Sequence, residues 1–139
     1  MVNVKDTFLY DDLIKEFNYS FGSFFVFDGY IIAEINEGVC FSWEYGEKFV
    51  KDLTSFLGVY NLDSMIYISN RINEYSVVPS DWLKFLKSYS LKSYCIVSEA
   101  KVGKLSLLVE SLFYPKKIKR FRSTYTAVNW VKNGLVGVA

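Results

Sequence analysis

The sequence predicts an α/β fold: an N-terminal β-hairpin, then alternating β/α units forming a mostly parallel mixed sheet of about five strands covered by about four helices. Three observations carry this prediction. Asp28-Gly29 divides two β-prone runs, Phe24-Phe25-Val26-Phe27 and Tyr30-Ile31-Ile32-Ala33. Short continuous apolar runs recur at Met65-Ile66-Tyr67-Ile68 and Tyr94-Cys95-Ile96-Val97. Helical apolar spacing fills the intervals that follow them.

Asp-Gly between two such runs is a strong hairpin signal, because a type I′ turn needs positive φ at both central residues. The second strand continues through Glu34-Ile35 toward Gly38. From Trp43 to Leu57, the residues Phe49, Leu53, Phe56 and Leu57 share one apolar face, and Gly58 suits a C-terminal cap. The runs at Met65–Ile68 and Tyr94–Val97 read as strands covered on both faces, as in a parallel sheet. Between them, Pro79-Ser80-Asp81 starts a helix in which Ser80 can accept from free N–H groups and Asp81 favours the positive end. Trp82, Phe85, Leu86 and Tyr89 make its inner face. Leu105, Leu108, Val109 and Leu112 mark another amphipathic helix, and Ile118 to Arg122 a last strand. Ser123 then caps a final helix with Ala127, Trp130 and Val131 facing inward.

The hairpin aromatics Phe24, Phe25, Phe27 and Tyr30 alternate, so rings project to both faces. One face is core. The other is a dimer surface, the wall of an apolar pocket, or a face covered by residues 1–16, where Phe8, Leu9, Leu13 and Ile14 could form a short helix.

No repeat and no Pro/Gly/Ser linker divides the 139 residues, so the chain reads as one domain, with 1–16 as an N-terminal extension. Twelve Phe, eleven Tyr and three Trp give a chain of this size the means to build a real core. Sixteen basic residues against fifteen acidic ones leave a net charge of +1, which argues against a general nucleic-acid or membrane-surface binder. The N-terminus shows no secretory pattern, and no apolar run reaches the roughly 18–20 residues of a membrane span. A cytoplasmic setting is expected, with Cys40 and Cys95 as buried thiols.

The sequence holds no histidine. That excludes Ser-His-Asp and Cys-His arrangements, an imidazole base and His-ligated metals. Two cysteines cannot make a structural zinc site. A P-loop is also missing, since Gly103-Lys104-Leu105 lacks the other glycine and the Ser/Thr. Carboxylate, Lys or Tyr chemistry stays formally open, but no catalytic constellation is visible. The expectation is a non-enzyme without cofactor or metal.

Two segments carry a family likeness. Arg120-Phe121-Arg122-Ser123, followed by Ala127, Trp130 and Val131, joins an aromatic strand end to a capping residue and an Ala-x-x-Trp face. The other runs from Tyr67-Ile68-Ser69-Asn70-Arg71 through Ile72-Asn73-Glu74-Tyr75-Ser76-Val77. With the element order, these resemble the STAS domains of bacterial anti-sigma-factor antagonists. The likeness is to the SpoIIAA-like (STAS/SEC14-like) branch of small bacterial proteins, flavobacterial type, over most of residues 20–135. The resemblance implies regulation by protein contact, controlled in some members by a phosphorylated serine at the start of the helix after the third strand. The matching region here is Ser69 to Asp81, where the family's Asp-Ser pair is absent and Ser76 and Ser80 are the candidate phosphoacceptors. The Sec14 likeness implies a small apolar ligand or lipid.

The candidate partner- or ligand-binding loop is therefore Ser69, Asn70, Arg71, Asn73, Glu74, Tyr75 and Ser76, leaving the carboxyl end of a strand, where ligands gather in open α/β sheets. Its alternative is a solvated loop that satisfies its own backbone. Lys116, Lys117, Lys119, Arg120 and Arg122 could meet phosphate groups on RNA, DNA or lipid, but read first as a solvated, edge-protecting run. Glu34, Glu37 and Glu44 read as surface charge. The expected function is a regulatory or protein-interaction module with a protein partner; a homodimer stays open. The alternative is a carrier or sensor of a small apolar molecule in an aromatic-lined pocket.

Overall fold

The computed structural model describes residues 2–57, 62–99 and 107–137. Eight strands form along the chain: β1 (Lys15–Tyr19), β2 (Gly22–Phe27), β3 (Tyr30–Ile35), β4 (Cys40–Phe41), β5 (Ile66–Asn70), β6 (Ser76–Val77), β7 (Ser93–Val97) and β8 (Lys119–Phe121). Six of them make one sheet in the order β1-β2-β3-β5-β7-β8. β1, β2 and β3 are antiparallel; β3, β5, β7 and β8 are parallel. β4 and β6 pair separately as a short parallel ribbon.

Parallel crossovers keep one hand, so a sheet that advances in one direction places its connecting helices on one face. Helix α1 (Trp43–Leu57) joins β3 to β5, and α2 (Asp81–Leu86) joins β5 to β7. Both bury Phe24, Val26, Ile31 and Ala33 beneath Phe49, Val50, Leu53 and Phe85. A helical turn at 107–110 precedes β8. The opposite face carries Phe25, Phe27, Ile32, Ile68 and Val97, covered by α3 (Thr124–Gly137) through Ala127, Val128 and Val131 and by Val4 and Leu9 of the N-terminal 3-10 turns. Every residue of β3 is buried for this reason. Each large apolar side chain so enclosed contributes roughly 1.5–3 kcal/mol.

Several expectations change in detail. Of the segment 1–16, the described residues do cover the second face, but as two 3-10 turns, Val4–Asp6 and Phe8–Asp12, leading into a strand. β1 pairs with β2 and makes the sixth strand. Phe8 and Ile14 stay exposed. The hairpin closes with Phe27 opposite Tyr30, yet Asp28 keeps a negative φ and only Gly29 turns positive, at +83°. The turn is therefore not type I′. Phe56 is largely exposed at the end of α1, and Gly58 lies outside the described residues. Ser80 makes no side-chain cap; it sits in helical conformation, and Asp81 instead accepts from Trp43 N–H at 2.7 Å, tying α2 to the start of α1. Ser123 does cap α3, its Oγ accepting from Thr126 N–H at 3.2 Å.

The helix expected around Leu105–Leu112 is turned differently. Leu105 lies outside the described residues, while Leu108 and Leu112 point to solvent and Glu110 is buried. Glu34 is buried as well, against the expectation of surface charge. Both cysteines are free; Cys95 is buried, but Cys40 is exposed on the β4 ribbon. Burial pushes the Cys95 thiol up to about 12.

Candidate functional site

A half-open pocket of about 110 Å3 lies on the helical face of the sheet. Its floor is Phe24 of β2, Ile31 of β3, Tyr67 and Ser69 of β5 and Tyr94 of β7. Trp43, Gly46, Phe49 and Val50 of α1 form one wall; Asp81, Trp82 and Phe85 of α2 form another. Phe41, Val77 and Val78, from the ribbon and the residue after it, add to the lining. The rings pack on one another: Phe24 stacks on Phe49 with centroids 3.9 Å apart, and Trp82 lies edge-on to Phe85 at 5.6 Å.

The ribbon clamps the two loops that frame this pocket. β4 and β6 pair Cys40 with Ser76 and Phe41 with Val77. Gly38 N–H donates to Glu74 O at 2.7 Å, and Ser76 N–H to Val39 O at 3.0 Å. Side chains reinforce the clamp. Glu37 accepts from Glu74 N–H at 2.9 Å, and the Asn73 amide donates to Ile35 O at 2.9 Å.

One end of the pocket is polar. β5 alternates its side chains, so Tyr67 and Ser69 face the pocket while Ile68 and Asn70 face the other side. Arg71 follows on the pocket side. Its Nε donates to Ser69 Oγ at 2.6 Å, and its Nη2 donates to Tyr94 Oη at 2.9 Å and to Glu110 Oε2 at 3.0 Å. Glu110 also accepts from Tyr94 Oη at 2.7 Å and from Trp82 Nε1 at 3.0 Å. The guanidinium lies 5.0 Å from the centre of the Tyr75 ring, whose hydroxyl is 2.7 Å from Ser69 Oγ. The Arg71 and Glu110 side chains are only 9% and 2% exposed, so this is a buried ion pair. Burial opposes the charge on Arg71, but the Glu110 carboxylate 3.0 Å away favours it, and the guanidinium stays protonated. Burial pushes the Tyr67, Tyr75 and Tyr94 hydroxyls upward, keeping them protonated.

The structure thus divides the expected loop. Ser69, Arg71 and Tyr75 line the pocket. Asn70 lies on the opposite face, where its amide and Val4 N–H both donate to Glu34 Oε2 at 2.8 Å. Asn73 and Glu74 brace the clamp, and Ser76 is exposed within β6. Ser80 is exposed before α2. Of the basic run, Lys116 donates to Leu91 O, Arg120 to Ser98 O, and Lys119 lies over Trp130. Lys117 and Arg122 are exposed. The residues that sequence reasoning missed are Glu110, Tyr67 and Tyr94. A lone acid within the run Leu107-Leu108-Val109-Glu110 was the available signal for the first.

Among the described residues no helix is long and apolar enough to cross a membrane, and no three His, Cys, Asp or Glu side chains gather as a metal site. No family model matches the chain, and no curated protein matches it. Among solved structures it is similar to an uncharacterized protein from the DUF3478 family with a SpoIIAA-like fold, from Shewanella loihica PV-4. The two share 17% sequence identity and a TM-score of 0.49, over 84% of this chain and 90% of that one. A likeness of this order says nothing about ligand or partner.

Proposed function

We propose that this chain is a non-catalytic binding module that holds a small, mainly apolar molecule, as a carrier or sensor. The observation that carries the reading is the pocket itself: aromatic walls from two helices and four strands, closing on the Arg71–Glu110 pair. Ligand sites are concave and mostly apolar, with a few placed polar groups. The inward orientation of Ser69, Arg71 and Tyr75 favours a ligand over a protein docked on this loop, because these side chains are spent inside.

Trp43 and Trp82 both line the pocket, so their fluorescence reports its occupancy. One-ring compounds should change that emission saturably and raise the unfolding midpoint. Gly46→Leu is the control. A Cβ on Gly46 meets Trp43 Cε3 at 3.4 Å and Phe41 Cζ at 3.7 Å, ordinary contacts, so the helix tolerates it while the longer side chain fills the pocket. Binding by the native protein that Gly46→Leu abolishes supports the reading. Absence of binding across a broad set of one-ring compounds, or binding that Gly46→Leu leaves intact, overturns it.

A further inference from the structure

We propose that the pocket selects an uncharged planar ring bearing an exocyclic carbonyl oxygen, which accepts from the Tyr67 hydroxyl and from Arg71 Nη1; this rests on the small-molecule reading of the same pocket. Both residues line the cavity. Arg71 commits Nε to Ser69 and Nη2 to Tyr94 and Glu110, which leaves Nη1 without a hydrogen-bond partner among the described residues. The Tyr67 hydroxyl likewise has no hydrogen-bond partner among them, although its ring packs on Tyr94 with centroids 5.6 Å apart. Neither atom is a sealed, unpartnered buried group, so each keeps some access to solvent, and both residues line the cavity. The site therefore presents unpaired donors and surrounds them with apolar ring faces.

Charge and size narrow the ligand. Glu110 lies 3.0 Å from Arg71 Nη2 and offsets its charge. An anionic ligand would be attracted by the guanidinium and repelled by this carboxylate, while a neutral carbonyl needs only the donors. A cavity of about 150 Å3 lined by apolar side chains accepts benzene. The pocket, at about 110 Å3 and half-open, suits a single ring with its substituent. A site with donors placed for an oxygen discriminates strongly against an analogue that lacks it.

Three near-isosteric probes test the assignment: acetophenone, ethylbenzene and benzoate, titrated by NMR into the native protein and into Tyr67→Phe. That substitution deletes only a hydroxyl with no hydrogen-bond partner among the described residues, and an unchanged urea midpoint verifies that the variant is intact. In the native protein acetophenone should bind about tenfold more tightly than ethylbenzene or benzoate. In Tyr67→Phe the preference over ethylbenzene should shrink at least threefold, with ethylbenzene affinity unchanged. Equal binding of ethylbenzene and acetophenone overturns the carbonyl assignment and leaves the apolar pocket standing. Tighter binding of benzoate overturns the neutral ligand, and a preference that survives Tyr67→Phe overturns the role of that hydroxyl. If none of the three binds, this inference falls, and the small-molecule reading is decided separately by the broad set of one-ring compounds.

Discussion

Glu110→Gln should destabilise the protein by about 3–5 kcal/mol, the cost of stripping one partner from a buried ion pair. The carboxylate accepts three hydrogen bonds: two on Oε1, from Tyr94 and Trp82, and one on Oε2, from Arg71. Glutamine keeps the shape but replaces one oxygen with an NH2 group. If the amide nitrogen faces Arg71, donor meets donor beside an uncompensated guanidinium. If it faces the other way, Tyr94 and Trp82 lose their acceptor. With side-chain exposures of 9% for Arg71 and 2% for Glu110, little water reaches either arrangement. Domains have total stabilities of about 5–15 kcal/mol, so the loss is a large fraction, visible as a fall in Tm of about 10–20 °C. Urea unfolding followed by tryptophan emission and circular dichroism measures it. The apolar double variant Arg71→Met/Glu110→Leu should recover part of the loss, because it removes both charges together while still leaving Tyr94 and Trp82 without their acceptor. A Glu110→Gln protein within about 1 kcal/mol of native would refute the buried pair, as would a double variant no more stable than Glu110→Gln.

Two further substitutions test other parts of the fold. Burial raises the pKa of Glu34, outweighing the bonds from Val4 N–H and the Asn70 amide that lower it. A carboxyl with a raised folded pKa contributes stability that is fully present below its unfolded value, near pH 4, and is lost as pH rises through the folded value. Glu34→Gln should therefore gain on the native protein as pH is raised from about 4 to 7; a gap in urea midpoints that stays constant with pH would contradict the buried carboxylate. A Cβ on Gly22 would lie 2.7 Å from Glu34 O and 2.9 Å from Ile35 Cα, both backbone atoms. Gly22→Ala should cost about 1–3 kcal/mol by forcing β2 from β3, and a native-like unfolding midpoint would show the strands are not so close.

Much of the chain was readable in order because its signals are local. The α1 boundaries follow from the spacing of Phe49 and Leu53, and β7 from the run Tyr94-Cys95-Ile96-Val97. The hairpin site follows from Asp28-Gly29, though not its turn type, since strand twist and local packing decide which residue takes positive φ. β1 is not legible because Lys15-Glu16-Phe17-Asn18-Tyr19 opens on two successive polar residues and offers only Phe17 and Tyr19 as apolar, too short an alternation to mark a strand. Leu108 and Leu112 looked like a core face, because periodicity shows that a helix has two faces without saying which one meets the sheet.

Local sequence thus determined the α/β class, most elements, and the loop at the carboxyl end of β5. Only the tertiary structure decided that Ser69, Arg71 and Tyr75 turn inward. It also decided that Asn70 serves the opposite face and that Cys40 is exposed while Glu34 is buried. The pocket's polar end joins Arg71 to Glu110, 39 positions away, and to Tyr94, 23 positions away. Such a pairing leaves no periodic trace in the chain. It exists because strand order and crossover hand bring β5, β7 and the helical turn at 107–110 together on one face, where a buried charge must find its partner.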